Sequence, residues 1–117
     1  MINHMVLFKF KESITEEEVI HLFEQIRKLS ELFPGIRNFS WGRNNSLEDL
    51  TKGFEYALFL QFDSEETRRQ YVCHPFNEEI SEAVVRPALA NGLESALVFD
   101  YWVGSGPTRK AFSRSIS

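Results

Sequence analysis

Residues 54–62 read Phe-Glu-Tyr-Ala-Leu-Phe-Leu-Gln-Phe, and this run constrains the fold more than any other part of the chain. Phe54, Tyr56, Leu58, Leu60 and Phe62 alternate onto one face, the signature of a strand packed against a core. Ala57 and Phe59 fall on the opposite face, which a one-sided antiparallel sheet leaves polar. The same two-sidedness recurs at both ends of the chain. Residues 3–10 predict a strand with His4, Val6, Phe8 and Phe10 on one face and Met5, Leu7 and Lys9 on the other. Residues 96–103 predict a last strand, with Leu97, Phe99 and Tyr101 opposite Val98, Asp100 and Trp102.

Between the strands the period changes to that of a helix. Thr15 followed three residues later by Glu18 is a capping box, so a helix starts at Glu16. Val19, Leu22, Phe23, Ile26, Leu29 and Phe33 recur at helical spacing along it, and Pro34-Gly35 ends it. Residues 36–43 predict a second strand presenting Phe39 and Trp41 together, and residues 44–53 a polar loop at the edge of any cavity. Asp63 or Ser64 caps a second helical region that runs to about Cys73. Pro75 starts it afresh, with Ile80, Ala83 and Val84 as its apolar stripe, and Pro87 and Gly92 close it.

The order β-α-β-β-α-β specifies an α+β fold of the ferredoxin-like kind, a four-stranded antiparallel sheet with both helices on one face. Residues 1–103 form this one domain, and residues 104–117, with Ser, Gly, Pro and three basic residues, are expected as a disordered tail. The uncovered sheet face is expected to carry Met5, Leu7, Ala57, Phe59, Val98 and Trp102. Burying a side chain such as Phe or Leu gains about 1.5–3 kcal/mol, so a second copy of the sheet is the simplest cover. A homodimer through the outer sheet face follows, because a two-fold interface is self-complementary.

Charge and cysteine content then remove whole classes of function. A net charge of −4 gives no basic field for nucleic acid. Cys73 is the sole cysteine, which excludes an intrachain disulfide and a CxxC zinc site. Three scattered histidines, with acidic runs explained by helix N-termini, leave no metal site and no cofactor to expect. No apolar run approaches bilayer-spanning length, and Met1-Ile2-Asn3-His4 lacks a basic leader region, so the expected location is the cytoplasm, without membrane contact.

Several landmarks together resemble one family. They are His4-Met5-Val6-Leu7-Phe8-Lys9-Phe10-Lys11, Pro34-Gly35-Ile36 leading to Trp41-Gly42, Gly53-Phe54 into Phe62-Asp63-Ser64, Tyr71 with His74-Pro75, and Val98-Phe99-Asp100-Tyr101. In this order the chain resembles the stress-responsive A/B barrel domain family from about residue 3 to 102, which implies a dimeric α+β barrel. A plant polyketide cyclase in that family closes a linear polyketide by intramolecular aldol condensation, using a His as base and a Tyr to hold substrate. The resemblance matches Tyr71 to that catalytic Tyr and His4 to a pocket His. It also puts Tyr56 in place of a second pocket His and Asn77 where the catalytic base stands. A carboxamide does not titrate near neutral pH, so Asn77 cannot take that base's proton, and the loss is worth about 10²- to 10⁴-fold in rate.

The candidate site is therefore His4 and Tyr71 as catalytic residues, Tyr56 and Asn77 as polar ligand contacts, and Phe8, Phe23, Leu58 and Leu60 as apolar walls. Three functions compete. The leading one is binding of a small apolar or aromatic ligand between helices and sheet. The second is a cyclase, isomerase or lyase acting on an enolisable substrate with His4 as base. The third is a purely structural dimer whose interior is filled by its own aromatic side chains. His21 reads as solvated, His74-Pro75 as a structural stop, and Cys73 as a small buried or boundary residue.

Overall fold

The structure is a computed structural model that describes residues 1–104. Nearly all of the expected tail, from residue 105 on, lies outside the described residues. The elements follow the predicted order: β1 (Ile2–Phe8), α1 (Glu16–Ser30), β2 (Ile36–Arg43), β3 (Tyr56–Phe62) and α2 (Glu65–Val72). Next come α3 (Pro75–Ile80), a π-helical turn (Ser81–Val85), the short α4 (Arg86–Ala88), β4 (Ala90–Leu93) and β5 (Ala96–Trp102). Four strands form one sheet in the order β2-β3-β1-β5, with each neighbouring pair antiparallel. This is the ferredoxin-like α+β arrangement.

Local chemistry sets the boundaries. Thr15 and Glu18 complete the capping box at the start of α1, and Val19, Leu22, Phe23, Ile26 and Leu29 turn inward along it. Ser64, rather than Asp63, caps α2 by accepting from the Thr67 N–H at 3.1 Å. His74 caps α3, its Nδ1 accepting from the Phe76 N–H at 3.1 Å, and Pro75 follows at the first turn. Beyond Ile80 the helix widens into the π turn, a feature the apolar stripe did not foreshadow.

β2 contains a bulge, where the register against β3 slips between Arg37 and Ser40. Asn38 sits there at φ 56°, a left-handed conformation that asparagine tolerates. The extra residue reverses the alternation, so that Ile36 pairs with Phe62 and Trp41 with Leu58, both on the buried side. Gly35 is required by close approach: a Cβ there would lie 2.5 Å from Asp63 Oδ1 and 2.6 Å from Thr67 Oγ1.

The inner sheet face carries the core. Ile2, His4, Val6 and Phe8 are buried along β1, opposite Phe62, Leu60, Leu58 and Tyr56 of β3. The outer face is apolar too, but the phase of β5 is opposite to the one expected. Val98 and Trp102 pair with Val6 and Ile2 and so belong to the inner face. Leu97, Phe99 and Tyr101 join Leu7, Met5 and Asn3 outside, and remain exposed. Both phases of β5 are apolar, so alternation alone did not select between them. At one end of the outer face a hydrogen-bonded ladder crosses all four strands: Asn38 donates to Gln61, Gln61 to Asn3, and Asn3 to the Tyr101 hydroxyl, at 2.6–2.8 Å.

Candidate functional site

One half of the helix–sheet interior is filled. Phe23, fully buried, stacks on Trp41 with ring centroids 4.5 Å apart, and Phe8, Phe10 and Tyr56 close around it. On the β1–β5 side a cavity of about 290 Å³ remains, floored by His4, Val6, Phe8 and Leu58. Ile26 and Leu29 of α1, Tyr71 of α2, and Asn77 and Ile80 of α3 form its walls. The π turn contributes Val85, and exposed Val72, Leu93 and Val98 form an apolar rim. Glu82 and Arg86, paired at 3.2 Å, add the charge at that rim.

His4 and Tyr71 thus line a common space, together with Asn77, Phe8 and Leu58. Tyr56, Phe23 and Leu60 do not line it. The antiparallel β1–β3 register puts Leu60 opposite His4 and Tyr56 opposite Phe8, and Tyr56 packs on Phe10 and Phe23 in the filled half. Leu60 is sealed beside His4 with no exposed surface. Phe23 is taken up by its stack on Trp41. Cys73 is exposed at the C-cap of α2, where the chain turns out toward Pro75, and His21 is exposed on α1. Among the described residues no group of three or more His, Cys, Asp or Glu side chains is placed to hold a metal ion.

The polar groups of the cavity differ in how free they are. Asn77 donates its amide to the Tyr71 backbone carbonyl at 3.0 Å and accepts from Ser81 Oγ at 3.2 Å. Its amide ties the break between α2 and α3 together, and both of its polar ends are engaged. His4 is buried, with its ring 5.3 Å from Phe62 and edge-on to Tyr71 at 6.4 Å. Its Nδ1 lies 2.6 Å from Asp100 Oδ1, and Asp100 Oδ2 accepts from Arg68 at 3.3 Å. Sequence reasoning missed this pair of charges. A lone acid in the apolar run of β5 was the available signal for Asp100; Arg68, on a mostly polar helix, gave none.

Tyr71 is 5% exposed, and burial pushes its phenol up to about 12, so it holds its proton throughout the ordinary pH range. Its hydroxyl and His4 Nε2 have no hydrogen-bond partner among the described residues, where every fully buried side-chain N or O has one. Both atoms must therefore open onto accessible space rather than be sealed in the core. The arrangement is a proton donor and an imidazole nitrogen beside an apolar cavity.

The comparisons with known proteins agree with this architecture. The family model described as Stress responsive A/B Barrel Domain matches residues 2–103. The chain is 27% identical over 100 residues to a stress-response A/B barrel domain-containing protein of Arabidopsis thaliana, covering 86% of this chain and 87% of the relative. It is 25% identical over 100 residues to olivetolic acid cyclase of Cannabis sativa, covering 86% of this chain and 94% of that enzyme. A crystal structure of an Arabidopsis thaliana protein superposes with a TM-score of 0.78 at 26% identity, covering 91% of this chain and 98% of that one. A dimeric ferredoxin-like protein from Jannaschia also reaches 0.78, at 20% identity, covering 87% and 98% of the two chains.

Proposed function

The chain belongs to the stress responsive A/B barrel domain family, and from that premise we propose that it is a homodimer whose subunits each bind a small apolar or aromatic ligand in the helix–sheet cavity. One observation carries this reading. Tyr71 and His4, both buried, line the same apolar-walled space, and neither the Tyr71 hydroxyl nor His4 Nε2 has a hydrogen-bond partner among the described residues. A donor and a ring nitrogen that reach accessible space without a protein partner are free to bind water or the polar group of a ligand. The walls are apolar and the polar groups few, the usual make-up of a small-molecule site.

The dimer reading is supported by the outer sheet face, where Phe99 is 57%, Tyr101 44% and Leu97 40% exposed beside Met5, Leu7 and Phe59. A patch of this size on one face marks an interaction surface, and the similar Jannaschia structure is described as dimeric. Sedimentation at micromolar concentration tests it: the expected mass is twice 13.6 kDa, and a lone chain refutes the dimer.

Titration calorimetry with 2-naphthol, a small aromatic alcohol, tests the cavity. Saturable binding that weakens in Tyr71→Phe and His4→Ala supports the reading, and binding unchanged in both variants refutes it. A catalytic reading is favoured by one feature, the carboxylate hydrogen-bonded behind His4, which is how an imidazole is oriented for proton abstraction. In that reading His4 supplies the base that Asn77 does not, and Tyr71 holds an enolisable substrate. A His4→Ala variant that retains affinity for such a substrate but loses turnover supports it.

A further inference from the structure

Binding through His4 and Tyr71 leaves unexplained why two charged side chains converge behind the imidazole. Asp100 interrupts an otherwise uncharged strand, and the β1–β5 register puts it directly opposite His4. Arg68 reaches it from α2, its Nη1 at 3.3 Å from Asp100 Oδ2, while Glu65 lies farther from the guanidinium at 3.9 Å. A carboxylate offers only acceptors, so the hydrogen in the 2.6 Å His4–Asp100 contact belongs to Nδ1. A neutral imidazole has one ring proton, and Nε2 then carries a lone pair.

We infer that Asp100, held by Arg68, is a positioning residue that fixes His4 as its Nδ1–H tautomer, so that the cavity recognises a ligand hydroxyl, phenolic or enolic, by accepting its hydrogen at Nε2. The inference rests on the proposed binding function of the same cavity. Tyr71 supplies the complement, since its phenol keeps its proton and can donate to the lone pair of that hydroxyl oxygen. An acceptor and a donor side by side fit an O–H group. An ether satisfies only the donor, and a carboxylate meets the lone pair of Nε2 with its own. Arg68 makes the arrangement directional, because it fixes which oxygen of residue 100 faces α2 and which faces His4.

The histidine rings report this directly. In ¹⁵N-histidine-labelled protein at about pH 9, where an ordinary imidazole is neutral, His4 is expected to show a protonated Nδ1 and a bare Nε2. His74 is an internal contrast: its Nδ1 accepts from the Phe76 N–H, so its proton sits on Nε2. In Asp100→Asn, Arg68 retains the amide oxygen and turns the NH₂ toward His4, driving the proton to Nε2, as a carboxamide does behind a catalytic histidine. Calorimetry then compares 2-naphthol with 2-methoxynaphthalene. The wild type is expected to prefer the alcohol about tenfold, the worth of one net hydrogen bond, and Asp100→Asn to lose that preference.

A proton on Nε2 of wild-type His4, or a tautomer unchanged in Asp100→Asn, overturns the positioning role. The stated tautomer with equal affinity for the two probes overturns hydroxyl recognition. If neither probe binds, the binding function itself fails and the ligand class with it, while the ring spectrum still decides the tautomer.

Discussion

Replacing Tyr71 by Phe removes a single hydroxyl that has no hydrogen-bond partner among the described residues. A hydroxyl bonded to a protein neighbour would cost about 1 kcal/mol to delete. With no such neighbour, the expected change in stability at pH 7 is under about 0.5 kcal/mol. At high pH the two proteins separate. Burial raises the Tyr71 phenol from 10.0 to about 12, whereas in the unfolded chain it ionises at its ordinary value. Below pH 10 both states keep the proton and this group adds no pH dependence. Between pH 10 and 12 the unfolded state releases the proton and the folded state retains it, so stability falls as pH rises.

The slope is about 1.4 kcal/mol per pH unit, and the full loss across the window is about 3 kcal/mol. Tyr71→Phe abolishes this component, so by about pH 12 the variant should be the more stable protein by roughly that amount. Urea unfolding of both proteins at a series of alkaline pH values measures the difference and cancels the lysines they share. Absorbance titration gives an independent readout: of the three tyrosines in the wild type, one should ionise late. Parallel alkaline slopes in the two proteins, or three tyrosines titrating together, would refute the burial argument.

Other consequences are simpler to check. Phe23→Ala removes the fully buried ring stacked on Trp41, and chemical unfolding should show a loss of about 3–5 kcal/mol; a loss under 1 kcal/mol would mean the filled half of the interior is not tightly packed. Gly35→Ala forces a Cβ against Asp63 and Thr67 and should cost about 1–3 kcal/mol in the same assay, with the N-terminus of α2 displaced. Phe99→Arg, on the outer face opposite Met5, should give a monomer in sedimentation with an unchanged far-ultraviolet spectrum; an intact dimer would put the interface elsewhere.

The fold was legible in the sequence where local chemistry and alternation agreed. The Thr15–Glu18 box, the inward stripe of α1 and the Pro75 restart all rest on contacts within a few residues of one another. β2 was legible in extent and in presenting Phe39 and Trp41 together to the core, but its bulge was not, because that depends on Asn38 adopting a left-handed backbone against β3. β5 misled for another reason: with apolar residues on both sides, its orientation is decided by pairing with β1, which places Asp100 over His4. The same logic governs the site. His4 and Tyr71 could be named from the sequence, but which half of the interior stays open depends on Phe8, Phe10, Phe23, Trp41 and Tyr56 crowding the β2–β3 side. That is a packing outcome among four elements. Tyr56 and Asn77 show its two consequences, one held in the aromatic cluster and the other at the wall with its amide engaged.

Backbone amide mapping separates the helix–sheet cavity from the outer sheet face as the ligand site. On titration of the ¹⁵N-labelled protein with 2-naphthol, the resonances expected to move are those of Val6, Tyr71, Ile80, Val85 and Leu89 around the cavity. Those of Met5, Phe59 and Phe99 on the outer face should stay in place. Shifts confined to the outer face, or spread evenly over the sheet, would contradict a ligand site between the helices and the sheet.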